Sequence, residues 1–247
     1  MVELDIVIPV YNEGDAVLPT LRSLAAGVKT PFRVLLCYDR DDDKTLASVR
    51  GRADLPFEIV PVKNRTSGAH GAVRTGFAAS TAGAVLVLPA DDDYNSGIID
   101  PMVALSREGC DIVCASRFMP GGCMVGCPWL KAVLVRAAAF TLVHAAGLPT
   151  RDATNGFRLF SRRALDRVEL ESTVGFTYSI ELLVKCHRLG WRIAEVPARW
   201  FERRAGQSRF RVLRWLPAYL RWYAYAFATR FLGRGQDTVK LKPARTS

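Results

Sequence analysis

The residues best suited to chemistry form an acidic run, Asp91-Asp92-Asp93-Tyr94-Asn95, that directly follows an apolar segment. Two carboxylates separated by one residue point the same way along an extended chain. Together they can bind one hard divalent cation, Mg²⁺ or Mn²⁺, which then bridges the phosphates of a substrate. Such a cation neutralises the charge that develops on a departing diphosphate. The alternative is a solvated acidic turn or a helix N-cap, which is the commoner role of a bare acidic triplet.

Two more polar clusters follow apolar segments. One extends from Asp39 to Thr45 and contains four aspartates. An acidic side chain at its start suits a hydrogen bond to a nucleoside, whereas helix capping is the expected role of most of the others. The second cluster is Tyr11-Asn12-Glu13, close to the start of the chain.

The first half of the chain alternates strand and helix patterns around these clusters. The predicted strands are Leu4–Val10, Phe32–Tyr38, Phe57–Val62, Ala84–Leu88 and Asp111–Ala115. The predicted helices are Asp15–Ala26, Asp43–Gly51, Gly68–Ser80 and Ile98–Glu108. This alternation predicts an α/β domain with a mostly parallel central sheet and helices on both faces. Ligands of such sheets bind at the carboxyl ends of the strands, where all three polar clusters fall.

The second half of the chain is dominated by helical patterns. Trp129–Ala146 is more uniformly apolar, although Arg136 and His144 interrupt it, and it suits either a core helix or a helix in the membrane interface. Residues 211–232 are amphipathic, with leucines and phenylalanines on one face and arginines opposite, near Trp215, Trp222 and Tyr225. This pattern predicts interface helices that Pro217 kinks or restarts, and its alternative is a helix packed on the same domain. The shorter elements are a strand within Asp152–Phe160, a helix at Ser179–Gly190 and an extended segment at Arg192–Phe201.

Composition and charge restrict the partners of the chain. It has 247 residues, of which 49% are hydrophobic, so a large packed domain is expected. The net charge of +10 indicates an anionic partner, but no zinc finger, RNA-recognition signature or recognition helix indicates nucleic acid. With no signal-peptide pattern and no charge-free window of about 20 residues, we expect a cytoplasmic location. The six cysteines are then expected to be reduced.

Several motifs resemble those of family 2 glycosyltransferases, which have the GT-A fold. Ile8-Pro9-Val10-Tyr11-Asn12-Glu13 resembles their opening motif. Asp39 with Asp43-Lys44-Thr45 is similar to their second acidic motif, although Tyr38 and Arg40 depart from its usual residues, and Asp91-Asp92-Asp93 resembles their metal-binding DxD motif. Three further matches are similar to polyprenyl- and dolichyl-phosphate mannose synthases: Ala115-Ser116-Arg117, Asp152 to Arg158, and Glu195-Val196-Pro197 followed by Arg203 and Gly206-Gln207-Ser208-Arg209.

The resemblance implies a role for individual positions. It implies nucleotide-sugar binding by Pro9, Tyr11, Glu13, Asp39, Asp91 and Asp93. It implies a Mg²⁺ or Mn²⁺ site made by Asp91, Asp93 and Asn95, where Asn95 replaces the glutamine common in the subgroup. It implies acceptor-phosphate binding by Arg117, Lys131, Arg136, Arg203 and Arg209. The expected catalytic residues are Asp93, Arg117, Arg203 and Arg209.

The resemblance also implies an overall activity and organisation. The expected protein is an inverting transferase that moves a hexose to a polyprenyl or dolichyl phosphate, with GDP-mannose favoured and UDP-glucose open as the donor. It acts on the cytoplasmic face of a membrane as a peripheral protein, and a separate membrane subunit remains open. The expected divisions are a catalytic GT-A domain at 1–210, interface helices at 211–232 (with 129–146 as a further candidate) and a polar tail at 233–247.

Two other functions stay open from the sequence. One is a transferase that uses a saccharide hydroxyl as acceptor, which requires a carboxylate base near Asp152 or Glu181. The other is a non-catalytic protein that binds a nucleotide sugar at a membrane. Donor binding without turnover distinguishes the second from either enzyme.

Overall fold

The computed structural model describes residues 2–202 and 212–243. Numbered along the chain, the strands are β1 (Leu4–Pro9), β2 (Phe32–Tyr38), β3 (Ile59–Lys63), β4 (Ala84–Val87), β5 (Ile112–Ser116), β6 (Cys123–Val125), β7 (Arg158–Ser161), β8 (Ile193–Pro197) and β9 (Arg199–Phe201). Seven of them form one sheet in the order β3-β2-β1-β4-β7-β5-β8, and β6 pairs with β9 in a separate parallel ribbon. Within the large sheet all pairings are parallel except the two that β7 makes.

Helices cover both faces of this sheet. They are α1 (Leu18–Gly27), α2 (Lys44–Val49), α3 (Gly68–Ala79), α4 (Ile99–Arg107), α5 (Trp129–His144), α6 (Arg162–Arg167), α7 (Thr177–Arg188) and α8 (Val212–Phe231). Short 3-10 turns occupy Gly14–Val17, Ser96–Ile98 and Gln236–Thr238. The predicted α/β architecture with a mostly parallel sheet is therefore confirmed.

The near-continuous apolar run of β1 is explained by burial of the strand on both faces. Successive strand side chains point to opposite faces of a sheet. Ile6 and Ile8 accordingly pack in the cluster that holds the leucines of α1, whereas Val7 packs in the cluster that holds Phe77 of α3. Each fully buried aliphatic side chain of this size contributes about 1.5–3 kcal/mol. The sheet thus has one apolar core on each face, and β1 contributes side chains to both.

A short strand was predicted near β7, but neither its antiparallel direction nor its position in the sheet was. It lies between β4 and β5, so the segment predicted only as a loop and short strand completes the centre of the sheet. A run of four residues has no feature that gives the direction of its pairing. The short helix α6 and the ribbon strand β6 were missed for the same reason, because neither is long enough to show a period.

The C-terminal helix α8 corrects the expectation for residues 211–232. A single helix spans Val212–Phe231 and continues through Pro217, where a kink or restart was expected. Trp222 and Ala226 are buried in the core against α7, so the prediction that Trp222 lies at a membrane boundary is wrong. The face that carries Trp222 is therefore the one that packs on the domain.

The opposite side of α8 stays exposed together with α5. The exposed large apolar side chains in this region are Trp129, Leu130, Val133, Leu134, Phe140, Leu216, Leu220, Phe231 and Leu232. The two helices meet where the hydroxyls of Thr141 and Tyr223 lie 2.6 Å apart. In the described part of the chain, no helix has the length and apolarity needed to cross a membrane.

The polar tail expected from residue 233 has structure up to residue 243. Leu241 forms an isolated antiparallel bridge with Val168, and Val239 is buried. The ammonium group of Lys242 donates to the carbonyl oxygen of Leu165 at 2.6 Å. This stretch is therefore part of the domain, although its polar composition gave no sign of docking.

Candidate active site

The loops after β1, β2 and β4 lie at one edge of the sheet, because these three strands are parallel neighbours. Each loop contains one of the polar clusters found in the sequence. The topology therefore brings residues that are far apart along the chain to one edge. Pro9 is the last residue of β1, the middle strand of these three.

In the loop after β4, the three aspartates differ in exposure. Asp91 and Asp93 are exposed, whereas Asp92 between them is buried. Burial raises the pKa of the Asp92 carboxyl to about 6, and hydrogen bonds from Asn95 oppose this shift. The base of the loop is fixed by the hydroxyl of Thr20, which donates to the carbonyl oxygen of Ala90 at 2.8 Å. Asp91 and Asp93, the predicted metal ligands, thus lie on the solvent side of a loop whose inner side is hydrogen-bonded to the domain.

Asn95 joins this loop to the ribbon strand β9. Its amide nitrogen donates to Asp92 at 2.7 Å and to the carbonyl oxygen of Arg199 at 2.8 Å. Its amide oxygen accepts the backbone N–H of Arg199 at 2.9 Å. The side chain is buried and its oxygen faces the strand, an orientation that speaks against the predicted role of Asn95 as a metal ligand.

The loop after β1 is locked to the start of α2. Asn12 has a positive φ of 59°, and its backbone N–H donates to Asp43 at 2.8 Å. In return the Asn12 side chain accepts the N–H of Lys44 at 3.2 Å, and the hydroxyl of Thr45 accepts the N–H of Glu13 at 3.0 Å. Asp43 also caps α2, as the capping alternative predicted. These bonds present Tyr11, which is about half exposed, at the sheet edge.

Asp39 lies at the end of β2 and is held by two donors. Its carboxylate accepts from the side-chain amide of Asn64 at 2.7 Å and from the backbone N–H of Gly68 at 2.9 Å. Gly68 begins α3, so the negative charge lies at a helix N-terminus, which stabilises it. Asn64 was not identified from the sequence, because a single asparagine after a strand carries no pattern of its own.

Arg117, predicted to bind the acceptor phosphate, forms a buried ion pair with Asp152. Its Nε and Nη2 donate to the two carboxylate oxygens at 2.7 and 2.9 Å, and Nη2 also donates to the hydroxyl of Thr154 at 2.9 Å. Burial disfavours the charged guanidinium, but the attraction of Asp152 outweighs it and raises the pKa of Arg117. The remaining nitrogen, Nη1, lies 3.9 Å from the sulfur of Met124.

Two more of the predicted basic residues, Lys131 and Arg136, lie on α5 and contact aromatic rings near β6 and β9. The guanidinium groups of Arg117 and Arg136 lie 5.2 and 5.5 Å from the centre of the Phe118 ring. Lys131 lies 5.0 Å from the ring of Trp200 and 3.8 Å from the carboxylate of Glu202. Arg203 and Arg209 lie outside the described residues, so their predicted roles stay predictions.

The two carboxylates considered as general bases are both occupied in the interior. Asp152 has no exposed surface and is paired with Arg117 at 2.7 Å. Glu181 has none either, and accepts from the backbone N–H of Ser172 and from the ammonium of Lys185, at 2.8 and 2.7 Å. Both carboxylates are therefore inaccessible to the hydroxyl group of an acceptor.

A divalent cation fits the residues present at the acidic loop. Mg²⁺ in nucleotide sites is commonly bound by one or two carboxylates, with substrate phosphates completing its ligands. Asp91 and Asp93 can supply two such carboxylates. Within residues 2–202 and 212–243, no group of three or more His, Cys, Asp or Glu side chains is suited to a metal ion.

Comparison with known families and proteins agrees with this geometry. The family model described as Glycosyl transferase family 2 matches residues 5–169. Polyprenol monophosphomannose synthase of Mycolicibacterium smegmatis is 28% identical over 211 residues, which cover 83% of this chain and 79% of that protein. Undecaprenyl-phosphate mannosyltransferase of Micrococcus luteus is 30% identical over 210 residues, which cover 82% of this chain and 85% of that protein.

Solved structures with a similar fold include glucosyl-3-phosphoglycerate synthase from Mycobacterium tuberculosis. One such structure, in complex with Mn²⁺, UDP and glucosyl-3-phosphoglycerate, has a TM-score of 0.61 and 18% sequence identity to this chain. The match covers 92% of this chain and 79% of that one. At this identity the likeness concerns the fold, and it confirms the GT-A-like architecture.

Proposed function

The chain belongs to glycosyltransferase family 2, and from this membership we propose that it transfers a hexose from a nucleoside-diphosphate sugar to a polyprenyl or dolichyl monophosphate. Displacement in one step inverts the configuration of the anomeric carbon. GDP-mannose is the favoured donor, because the relatives from M. smegmatis and M. luteus are named for mannose transfer to polyprenyl phosphates. UDP-glucose remains a second donor to test.

The observation that carries this proposal is the burial of both candidate bases. A hydroxyl acceptor needs a group that removes its proton, but Asp152 and Glu181 are inaccessible and paired with cations. A phosphate monoester needs no such group, because its second pKa of about 6 leaves it largely ionised near neutral pH. The interior pairing of the two carboxylates therefore favours a phosphate acceptor over a saccharide hydroxyl.

In this proposal the sheet edge holds the donor. Pro9, Tyr11 and Glu13 contact the nucleoside, and Asp39, oriented by its two donors, accepts a hydrogen bond from it. Asp91 and Asp93 hold a Mg²⁺ or Mn²⁺ ion together with the diphosphate of the donor. When bound, the ion stabilises the negative charge of the leaving nucleoside diphosphate.

The acceptor phosphate is held by basic residues near β6 and α5. Arg117 and Arg136 share the ring of Phe118, and guanidinium groups form charge-assisted hydrogen bonds with phosphate oxygens. Because Asp152 engages Nε and Nη2 of Arg117, the nitrogen that turns to the acceptor is Nη1. Lys131, Arg203 and Arg209 complete the proposed set, and catalysis depends on positioning and charge stabilisation.

The lipid part of the acceptor requires a membrane surface beside this site. The exposed apolar side chains of α5 and α8 suit insertion at the boundary between headgroups and acyl chains. Leu216 and Leu220 lie on the face of α8 that also carries Tyr223, which contacts α5. We propose that this surface, defined by the exposed apolar residues of α5 and α8, attaches the protein peripherally to the cytoplasmic face of a membrane.

A transfer assay tests the proposal directly. Purified protein is incubated with radiolabelled GDP-mannose or UDP-glucose and with either a polyprenyl monophosphate in vesicles or a soluble oligosaccharide, with Mg²⁺, Mn²⁺ or chelator. We expect a labelled lipid product with one donor, and only when a divalent cation is present. Labelled oligosaccharide as the sole product overturns the phosphate acceptor. Membranes are added in a further reaction to supply a second subunit. Donor binding without turnover in all of these reactions identifies a non-catalytic protein.

A further inference from the structure

Asn95 occupies the edge of β9 that its ribbon partner leaves open. On one edge, a backbone N–H of β6 donates to the carbonyl oxygen of Ala198, and the N–H of Glu202 donates to a carbonyl oxygen of β6, each at 3.0 Å. In a parallel pair the N–H and C=O groups of alternate residues point to the same side, so those of Arg199 point away from β6. Asn95 engages both of them, one through its amide oxygen and the other through its amide nitrogen. Its side chain replaces the missing third strand.

The same side chain also closes the acidic loop. Its nitrogen donates to Asp92 at 2.7 Å, and its backbone N–H donates to the other oxygen of Asp92 at 3.0 Å. Next to it, the ring of Tyr94 meets the ring of Phe201 edge to face, with centroids 4.9 Å apart. Two successive residues of the loop are therefore attached to two residues of β9.

The position has no room for a second role. Asn95 is 3% exposed, and both atoms of its amide have partners within the protein. An amide oxygen that binds a cation at the tip of the loop must turn toward Asp91 and Asp93. That rotation breaks both bonds to Arg199 and the bond from the amide nitrogen to the buried carboxylate of Asp92.

We propose that Asn95 is a positioning residue that joins the cation-binding loop to β9, and that it is not itself a ligand of the metal. β9 leads directly into Glu202 and Arg203, so the residue also links the donor side of the site to the chain that carries the acceptor arginines. The attachment of the loop to β9 concerns only these two segments. The link to the acceptor arginines rests on the proposed function.

Replacement by aspartate distinguishes a ligand from a positioning residue, because the two roles predict opposite signs. Asn95→Asp gives a ligand a better oxygen donor, so Mn²⁺ binding should strengthen or stay the same. For a positioning residue the new carboxylate faces Asp92 and the carbonyl oxygen of Arg199, and both contacts become repulsive. We expect Mn²⁺ affinity, measured by electron paramagnetic resonance with the nucleoside diphosphate present, to fall about tenfold.

Thermal unfolding without metal supplies a readout that does not depend on activity. We expect Asn95→Asp and Asn95→Gln to lower the metal-free melting temperature by about 5 °C, because each leaves buried polar groups unsatisfied. Asp93→Asn is the matched comparison, since it removes an exposed proposed ligand. It should lose Mn²⁺ binding at an unchanged melting temperature. Glutamine, the residue common in the resembling subgroup, also tests whether a longer amide can reach the ion.

Two results overturn the proposal. One is an Asn95→Asp or Asn95→Gln variant that binds Mn²⁺ as well as the wild type and melts at the same temperature. The other is an Asn95→Asp variant that binds Mn²⁺ more tightly than the wild type, which is the result that a ligand role predicts. If transfer occurs, the positioning role also predicts a raised KM for the lipid phosphate. If the wild type transfers nothing to a lipid phosphate, the proposed function fails, whereas the binding and melting data still decide the role of Asn95.

Discussion

The acidic loop after β4 and the helices α5 and α8 are held in place by different means. The loop has polar side chains at its tip and is fixed from below by hydrogen bonds from Thr20 and Asn95. The helices expose apolar side chains, and α8 is attached to the domain through Trp222, which is buried against α7. Beneath that contact lies a cluster of charges in which Lys185 bridges Glu171 and Glu181.

This difference follows from what each region has to bind. A cation with a diphosphate needs oxygens at defined places, and only directional bonds from a rigid edge can hold them there. A lipid surface needs apolar area and tolerates variation in side-chain position. Binding at the acidic loop should therefore be lost when one functional group is removed. Membrane binding by α5 and α8 should decrease gradually as apolar side chains are replaced.

The largest effect is expected at the tip of the acidic loop. Asp93→Ala removes one of the two carboxylates that hold the cation, and we expect transfer activity to fall at least about a thousandfold, as for loss of a main electrostatic contribution. Asp54→Ala is the control, because Asp54 is a solvent-exposed carboxylate paired with Arg22. Its activity should equal that of the wild type. Unimpaired turnover in Asp93→Ala removes the cation from the proposed mechanism.

The second prediction concerns the charges under α8. Lys185→Met leaves the buried carboxylate of Glu181 without its cation, so we expect the free energy of unfolding in urea to fall by about 3–5 kcal/mol. The carboxyl of Glu171, whose pKa the two lysines lower to about 2 against the effect of burial, should rise in pKa as well. Lys240→Met is the matched control, because this exposed lysine contacts the same Glu171 and its loss should cost at most about 1 kcal/mol. Equal destabilisation by both variants contradicts the assignment of the buried pair.

The sequence predicted the first half of the fold closely for a physical reason. Strands buried on both faces, such as Leu4–Pro9 and Phe32–Tyr38, have continuous apolar runs that end where polar residues begin. The ends of these strands therefore also located the three polar clusters. The direction of β7 could not be predicted, because pairing partners are set by tertiary packing and not by local pattern.

The second half of the fold was less predictable. An amphipathic pattern predicts that one face of a helix is buried, but it does not indicate which partner buries that face. Trp222 was assigned to the polar boundary of a membrane-interface helix, yet it is a core residue. The partners of the predicted site residues were also invisible in the sequence. Nothing in the spacing of Arg117 and Asp152, or of Asn95 and Arg199, indicates that each pair is in contact. Such contacts join residues from segments far apart along the chain, and they become visible only in three dimensions.

The smallest effect is expected on the exposed face of α5, and it tests the second side of the comparison. Leu134 is more than half exposed, so Leu134→Glu should leave the melting temperature unchanged. It adds a desolvation cost at a lipid surface, so binding to vesicles with anionic lipid should weaken about tenfold by co-sedimentation. Ala104→Glu, at an exposed position of α4, adds the same charge elsewhere and serves as control. If both variants bind vesicles equally well, the exposed apolar face of α5 and α8 does not meet lipid, and its occupant must be sought in another protein chain.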